Sequence, residues 1–150
     1  MPNIEIRQYK SSDFESALQV YEHLCSFYRL PFKLEKSRKF FSSMIYFQQY
    51  HTLVAIDKQT KDVVGLLFSE LQTDATQETC GVINHIYVEE KYRKFGIMTE
   101  LINKAISFFK ELKADRIAIH LRNENLPYLT YYLQKFGLSP TATIVAKSLK

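Results

Sequence analysis

Tyr87-Val88-Glu89-Glu90-Lys91-Tyr92-Arg93-Lys94-Phe95-Gly96-Ile97-Met98-Thr99 is the junction around which this chain is organised. An apolar strand, Thr79 to Val88, leads into it. An amphipathic helix, Gly96 to Leu112, leads out, with Met98, Leu101, Ile102, Ala105, Ile106, Phe109 and Leu112 at i, i+3, i+4 spacing. A short basic turn with one glycine lies between them. The start of a helix carries backbone N–H groups without intrahelical partners and the positive end of the macrodipole. Such a start binds anions, phosphates above all. Arg93 and Lys94 add charge, and Gly96 lets a ligand approach the backbone with no Cβ in the way.

Working outward, the N-terminal side reads as a strand over residues 3–9, then a helix opened by a capping box of Ser12 and Glu15 and closed before Pro31. A second helical segment, Glu35 to Gln49, is rich in aromatics (Phe40, Phe41, Tyr46, Phe47) and reads mainly as a core stripe. Thr52–Ile56 and Val63–Leu71 are strands joined by the polar turn 57–62, and Gly65 hints at a bulge or a close backbone approach.

On the C-terminal side, Arg116–Leu121 is a strand that should run parallel to Thr79–Val88 through a right-handed crossover. A helix follows from Asn125 and Pro127 to Phe136, stopped by Gly137. Thr141–Ser148 reads as a terminal strand, whose exposed edge could pair two subunits into a homodimer. The order β-α-α-β-β-β-α-β-α-β implies an α+β, three-layer α/β/α arrangement around one mixed central sheet, with residues 1–150 as a single domain.

Composition narrows the function classes. The 150 residues are 46% hydrophobic and 24% charged, as in soluble globular proteins. The net charge of +4 is not gathered into a dense Lys/Arg stripe, which argues against a nucleic-acid surface. Cys25 and Cys80 are too few for a disulfide framework or a metal-ligand set, and each reads as a buried thiol. No apolar run approaches the roughly 20 residues of a membrane span, and Met1 to Glu5 lacks the opening of a signal peptide; a cytoplasmic location is expected.

Arg93-Lys94-Phe95-Gly96-Ile97-Met98 resembles the Arg/Gln-x-x-Gly-x-Gly/Ala signature of the GNAT superfamily, the acetyl-CoA-dependent N-acetyltransferases. Met98 departs from it, standing where the family has a second small residue. A second stretch, Asn125-Leu126-Pro127-Tyr128-Leu129-Thr130-Tyr131-Tyr132-Leu133-Gln134-Lys135-Phe136-Gly137-Leu138, is similar to the family's Asn-x-x-Ala-x-x-Phe-Tyr-Glu-Lys-x-Gly-Phe, with one extra residue between tyrosine and glycine. Counting forward from Asn125 puts Tyr132 on the family's tyrosine, and counting back from Gly137 puts Leu133 there; a π-bulge would absorb the difference.

The resemblance implies that the central parallel strands splay apart around the pantetheine arm of acetyl-CoA. Backbone groups of Ile86, Tyr87 and Val88 would meet that arm. The turn Arg93, Lys94, Phe95, Gly96, Ile97, Met98 and Thr99 would take the diphosphate, and Asn125 and Tyr132 would complete the donor site. It also implies direct attack by an amine acceptor on the thioester. Tyr132 would be the general acid, His85 a base, and Asn84 the holder of a relaying water. The base is left open among His85, His120 and Glu78, or none; Glu22, Glu35 and Glu70 could attract an amine. A non-catalytic acyl-CoA-binding regulatory module is the competing reading.

Overall fold

The computed structural model describes residues 1–150, which divide into two compact units, Met1–His120 and Leu121–Lys150. The first is a five-stranded sheet in the order β1-β2-β3-β4-β5 with helices on both faces. Its strands are β1 (Ile4–Gln8), β2 (Tyr50–Asp57), β3 (Val63–Thr73), β4 (Thr79–Val88) and β5 (Arg116–Ile119). The first three pairings are antiparallel, and β4 with β5 is parallel, as the crossover through α3 (Ile97–Glu111) requires. The mixed sheet and three layers of the sequence reading are therefore present.

Side-chain alternation assigns the two faces. Tyr9, Val54, Leu66, Phe68 and Tyr87 bury against α1 (Phe14–Phe27), α2 (Leu34–Ser43) and Met44, with Phe41 fully buried among them. The opposite face takes α3: the Phe108 ring stacks on His51, and Phe109 lies against Gly81. Only glycine fits there, since a Cβ at position 81 would come within 2.3 Å of the Phe109 ring. The Lys104 ammonium also donates to the Ile6 carbonyl at 2.7 Å, fixing α3 across the sheet as far as β1.

Several boundaries differ from the sequence reading. The Ser12–Glu15 capping box does not form. Instead Asp13, at the end of a 3-10 turn, accepts the Lys10 N–H at 2.8 Å and two Arg7 guanidinium nitrogens at 2.7 and 2.8 Å, so a partly buried ion pair sets the start of α1. The helix already ends at Phe27, and the left-handed turn at Arg29, φ 54°, with Leu30 N–H bonded back to Cys25, stops it rather than Pro31. The second helix stops at Ser43 and passes into a 3-10 turn at Met44–Tyr46, leaving Tyr46 and Phe47 exposed. Beside Gly65 the β2–β3 register slips, as its glycine suggested.

In the second unit a 3-10 turn, Asn123–Tyr128, leads into α4 (Leu129–Phe136), and Gly137 ends it in the left-handed region at φ 64°. The terminal strand expected over Thr141–Ser148 is not there. Residues 139–150 carry no regular structure, and Ile144, Val145 and Leu149 are 72, 88 and 93% exposed. An alternating pattern makes a strand only where a neighbouring strand takes up its backbone groups. No helix in the chain is long and apolar enough to cross a membrane.

Candidate active site

The centre of the site is the place where β4 outruns β5. The parallel pairing covers only Cys80 to Ile83, opposite Arg116 to Ile119, and ends with His120 N–H donating to the Ile83 carbonyl at 2.9 Å. Beyond that point β4 continues to Val88, held on its other side by β3. From Asn84 onward no strand pairs with its second edge.

A bulge aims that edge. Ser69 pairs with Ile83 and Phe68 with His85, so Asn84 is an extra residue between them. Before the bulge, Ile83 turns its carbonyl towards β5. The inserted residue inverts the alternation, and thereafter Ile86 and Val88 face the open side. Side chains meet their carbonyls there: the Tyr28 hydroxyl donates to Ile86 at 2.6 Å, and the Arg93 Nε–H to Val88 at 2.9 Å.

At the end of β4 the chain enters the basic turn. Glu89 N–H bonds to the Val64 carbonyl, and a 3-10 turn occupies Glu90–Tyr92. Lys94 and Gly96 then both adopt positive φ, 69° and 78°, which swings the backbone into the first turn of α3. The N-cap of this helix is a glycine, and a Cβ built on Gly96 would have nothing within 4 Å. Lys94, Phe95 and Gly96 are exposed, Met98 and Thr99 are half-buried, and Ile97 is buried as the helix's first core residue. These features suit a diphosphate: room beside the Gly96 backbone, the positive end of a helix and a neighbouring ammonium.

Arg93 is arranged differently from Lys94. Besides its bond to Val88, its guanidinium lies over the rings of Phe27 (4.9 Å) and Tyr87 (5.4 Å). It therefore ties the turn back to β4 and α1. Burial, with Glu89 nearby, pushes the Tyr87 phenol up from its ordinary range. Glu89 also pairs with His23 of α1, Oε1 to Nδ1 at 2.5 Å.

On the α1 face around the bulge stand His85, half-buried, with its ring 6.4 Å from that of Tyr28, and Asn84, whose Nδ2 donates to Glu70 Oε1 at 3.3 Å. Gln72 donates to the same carboxylate oxygen at 2.8 Å. Asn84, Gln72 and Glu70 thus form one hydrogen-bonded group, with His85 next to Asn84 in the chain. Glu78 lies apart, with Asp74 and Arg116 at the far end of the β3–β4 hairpin, and Glu22 and Glu35 are exposed on their helices.

In the second unit Tyr132 is 2% exposed and Tyr131 47%, so the buried tyrosine is the one reached by counting forward from Asn125. Asn125 is itself buried. No π-bulge absorbs the extra residue, because α4 is α-helical throughout and the irregular turn precedes it. Sequence reasoning missed Tyr28, since nothing local reveals that its hydroxyl reaches a strand distant in sequence.

Comparisons with known proteins agree with this fold. The sequence model described as the Acetyltransferase (GNAT) family matches residues 17–138. No curated protein matches the chain in sequence. Among solved structures, an acetyltransferase of Trypanosoma brucei is 20% identical at a TM-score of 0.79, the match covering 98% of this chain and 100% of that one. An aminoglycoside N-acetyltransferase in complex with CoA is 13% identical with a TM-score of 0.81, covering 99% and 95%. Glucosamine-6-phosphate N-acetyltransferase from Arabidopsis thaliana is 14% identical with a TM-score of 0.78, covering 99% of each chain.

Proposed function

The chain belongs to the GNAT acetyltransferase family, and from that premise we propose that it transfers the acetyl group of acetyl-CoA to a primary amine by direct attack in a ternary complex. The observation that carries the reading is the edge of β4 that has no partner strand beyond Ile83 and runs on towards the glycine-led start of α3. An extended arm carrying amides can lie along such an edge as a strand would, meeting Ile86 and Val88. A diphosphate at its far end then reaches the backbone N–H groups of residues 94–99 and the Lys94 ammonium. Arg93 braces that turn from behind through Val88 and the two aromatic rings.

The acceptor nitrogen attacks the thioester carbonyl carbon, and the oxygen that gains charge is stabilised by backbone N–H near Ile86. As the C–S bond breaks, the thiolate takes the Tyr132 phenolic proton. The proton lost by the amine passes to His85 or to a water held at Asn84. Most of the acceleration comes from holding the reactants together, so few side chains are indispensable.

The test is a thiol-release assay with acetyl-CoA over a panel of primary amines, together with Tyr132→Phe. Turnover should fall about a hundredfold in the variant while CoA affinity is kept. Undiminished turnover would remove the general acid. CoA binding without thiol release from any amine would instead favour the acyl-CoA-binding module.

A further inference from the structure

Asp57 and Tyr92 have no part in the chemistry above, yet both are nearly buried, at 5 and 8% exposure, and they meet directly. Tyr92 donates its hydroxyl proton to Asp57 Oδ2 at 2.7 Å. Asp57 ends β2, and its other carboxylate oxygen accepts the Gln59 N–H at 2.9 Å. Its own backbone closes the β2–β3 turn through Asp62 and Lys61. The carboxylate is therefore fixed before Tyr92 reaches it. Tyr92 is the last residue of the 3-10 turn and lies directly before Arg93. The chain between Val88 and Ile97 touches the sheet through Glu89 N–H on Val64, Arg93 on Val88 and Tyr92 on Asp57. The last of these joins it to an element that takes no other part in the site.

We infer that Tyr92 and Asp57 are positioning residues for the diphosphate of the donor: their bond sets the height of the turn, and hence where the N–H groups of residues 94–99 point. The inference rests on the reading of that turn given under Proposed function. The two left-handed residues Lys94 and Gly96 make the segment a hinge of two unusual dihedral pairs. Such a hinge keeps one geometry only when both ends are held. The α3 end is held by the core contacts of Ile97 and Leu101, and the strand end by Tyr92. A hydrogen bond to a charged carboxylate is stronger than one between neutral groups, so its loss should be felt in the ligand rather than absorbed.

Binding of CoA and of pantetheine, which lacks the diphosphate, tests this by titration calorimetry on the full chain and on Tyr92→Phe. The wild type should bind CoA far more tightly than pantetheine. In Tyr92→Phe the Kd for CoA should rise about tenfold, while the Kd for pantetheine stays within a factor of two. Asp57→Asn should act in the same direction, and the double variant should be no weaker than the worse single one. A wild type that does not distinguish CoA from pantetheine would overturn the diphosphate reading and this inference with it. A wild type that distinguishes them, with a Tyr92→Phe variant that keeps the full preference, would overturn this inference alone. Equal loss for both ligands, or a lowered melting temperature with both affinities intact, would reduce the pair to a structural contact.

Discussion

Acidification should unload this fold through one histidine. His51, on β2, is 4% exposed, with its ring stacked on Phe108 at 3.5 Å and 3° between planes. Its Nδ1 has no hydrogen-bond partner. Burial pushes the imidazole down to about 4, so it is neutral in the folded protein. In the unfolded chain it titrates near 6.5. The unfolded form therefore takes up the proton first. Stability is complete above about pH 6.5 and falls progressively until about pH 4, where the folded form protonates as well. At roughly 1.36 kcal/mol per pH unit, that interval is worth about 3 kcal/mol, of which about 2 kcal/mol is lost between pH 7.5 and 5.0. Urea unfolding at those two pH values, for the wild type and for His51→Phe, isolates the contribution. The phenyl ring can keep the stack and takes up no proton. The wild type should lose about 2 kcal/mol more than the variant over this range. Equal losses in the two proteins would refute the reasoning, because the protonation cost would then lie elsewhere.

Two further perturbations probe the scaffold. Gly81→Ala should cost about 1–3 kcal/mol in chemical denaturation, since the new Cβ would meet the buried Phe109 ring at 2.3 Å; adding Phe109→Leu should return part of that loss, and simple additivity of the two would speak against the clash. Arg7→Ala should cost about 3 kcal/mol because it strips a 7%-exposed carboxylate of its partner. Burial alone would raise the Asp13 carboxyl, but Arg7 and the Lys10 N–H outweigh it and hold it below its ordinary value. The pair's stabilisation is then present above the usual carboxylate range and lost as pH falls through the depressed value. A variant with unchanged stability at pH 7 would remove the ion pair from the account.

The parts of the fold that were legible are those whose cause is local. The apolar run of β4, the glycine before α3 and the periodic stripe of α3 each lie within a few residues of the structure they produce. Gly137 stops α4 for the same reason, a left-handed conformation that glycine takes without strain. The illegible parts depend on what lies across the molecule. Ser12 and Glu15 have the spacing of a cap, but Arg7 on the neighbouring strand gives Asp13 a stronger partner. The aromatic run after Ser43 looks helical until Phe41 and Met44 have filled the space beneath it, after which Tyr46 and Phe47 face outward. Residues 141–148 show that strand propensity without a partner strand is only a pattern. Within the site, the turn and its glycine were readable. The contacts that hold them were not, since Tyr28 reaches Ile86 and Tyr92 reaches Asp57 over 58 and 35 residues of sequence.

The extra residue at Asn84 makes the length of this strand a matter of odd and even numbers. Removing any one residue between Ile83 and Ile86 would restore a straight ladder and turn Ile86 and Val88 inward, hiding from the gap the groups now turned to it. Losing a matched couple would shorten the strand but leave its sense unchanged. Evolution and engineering alike can thus resize the strand only in steps of two.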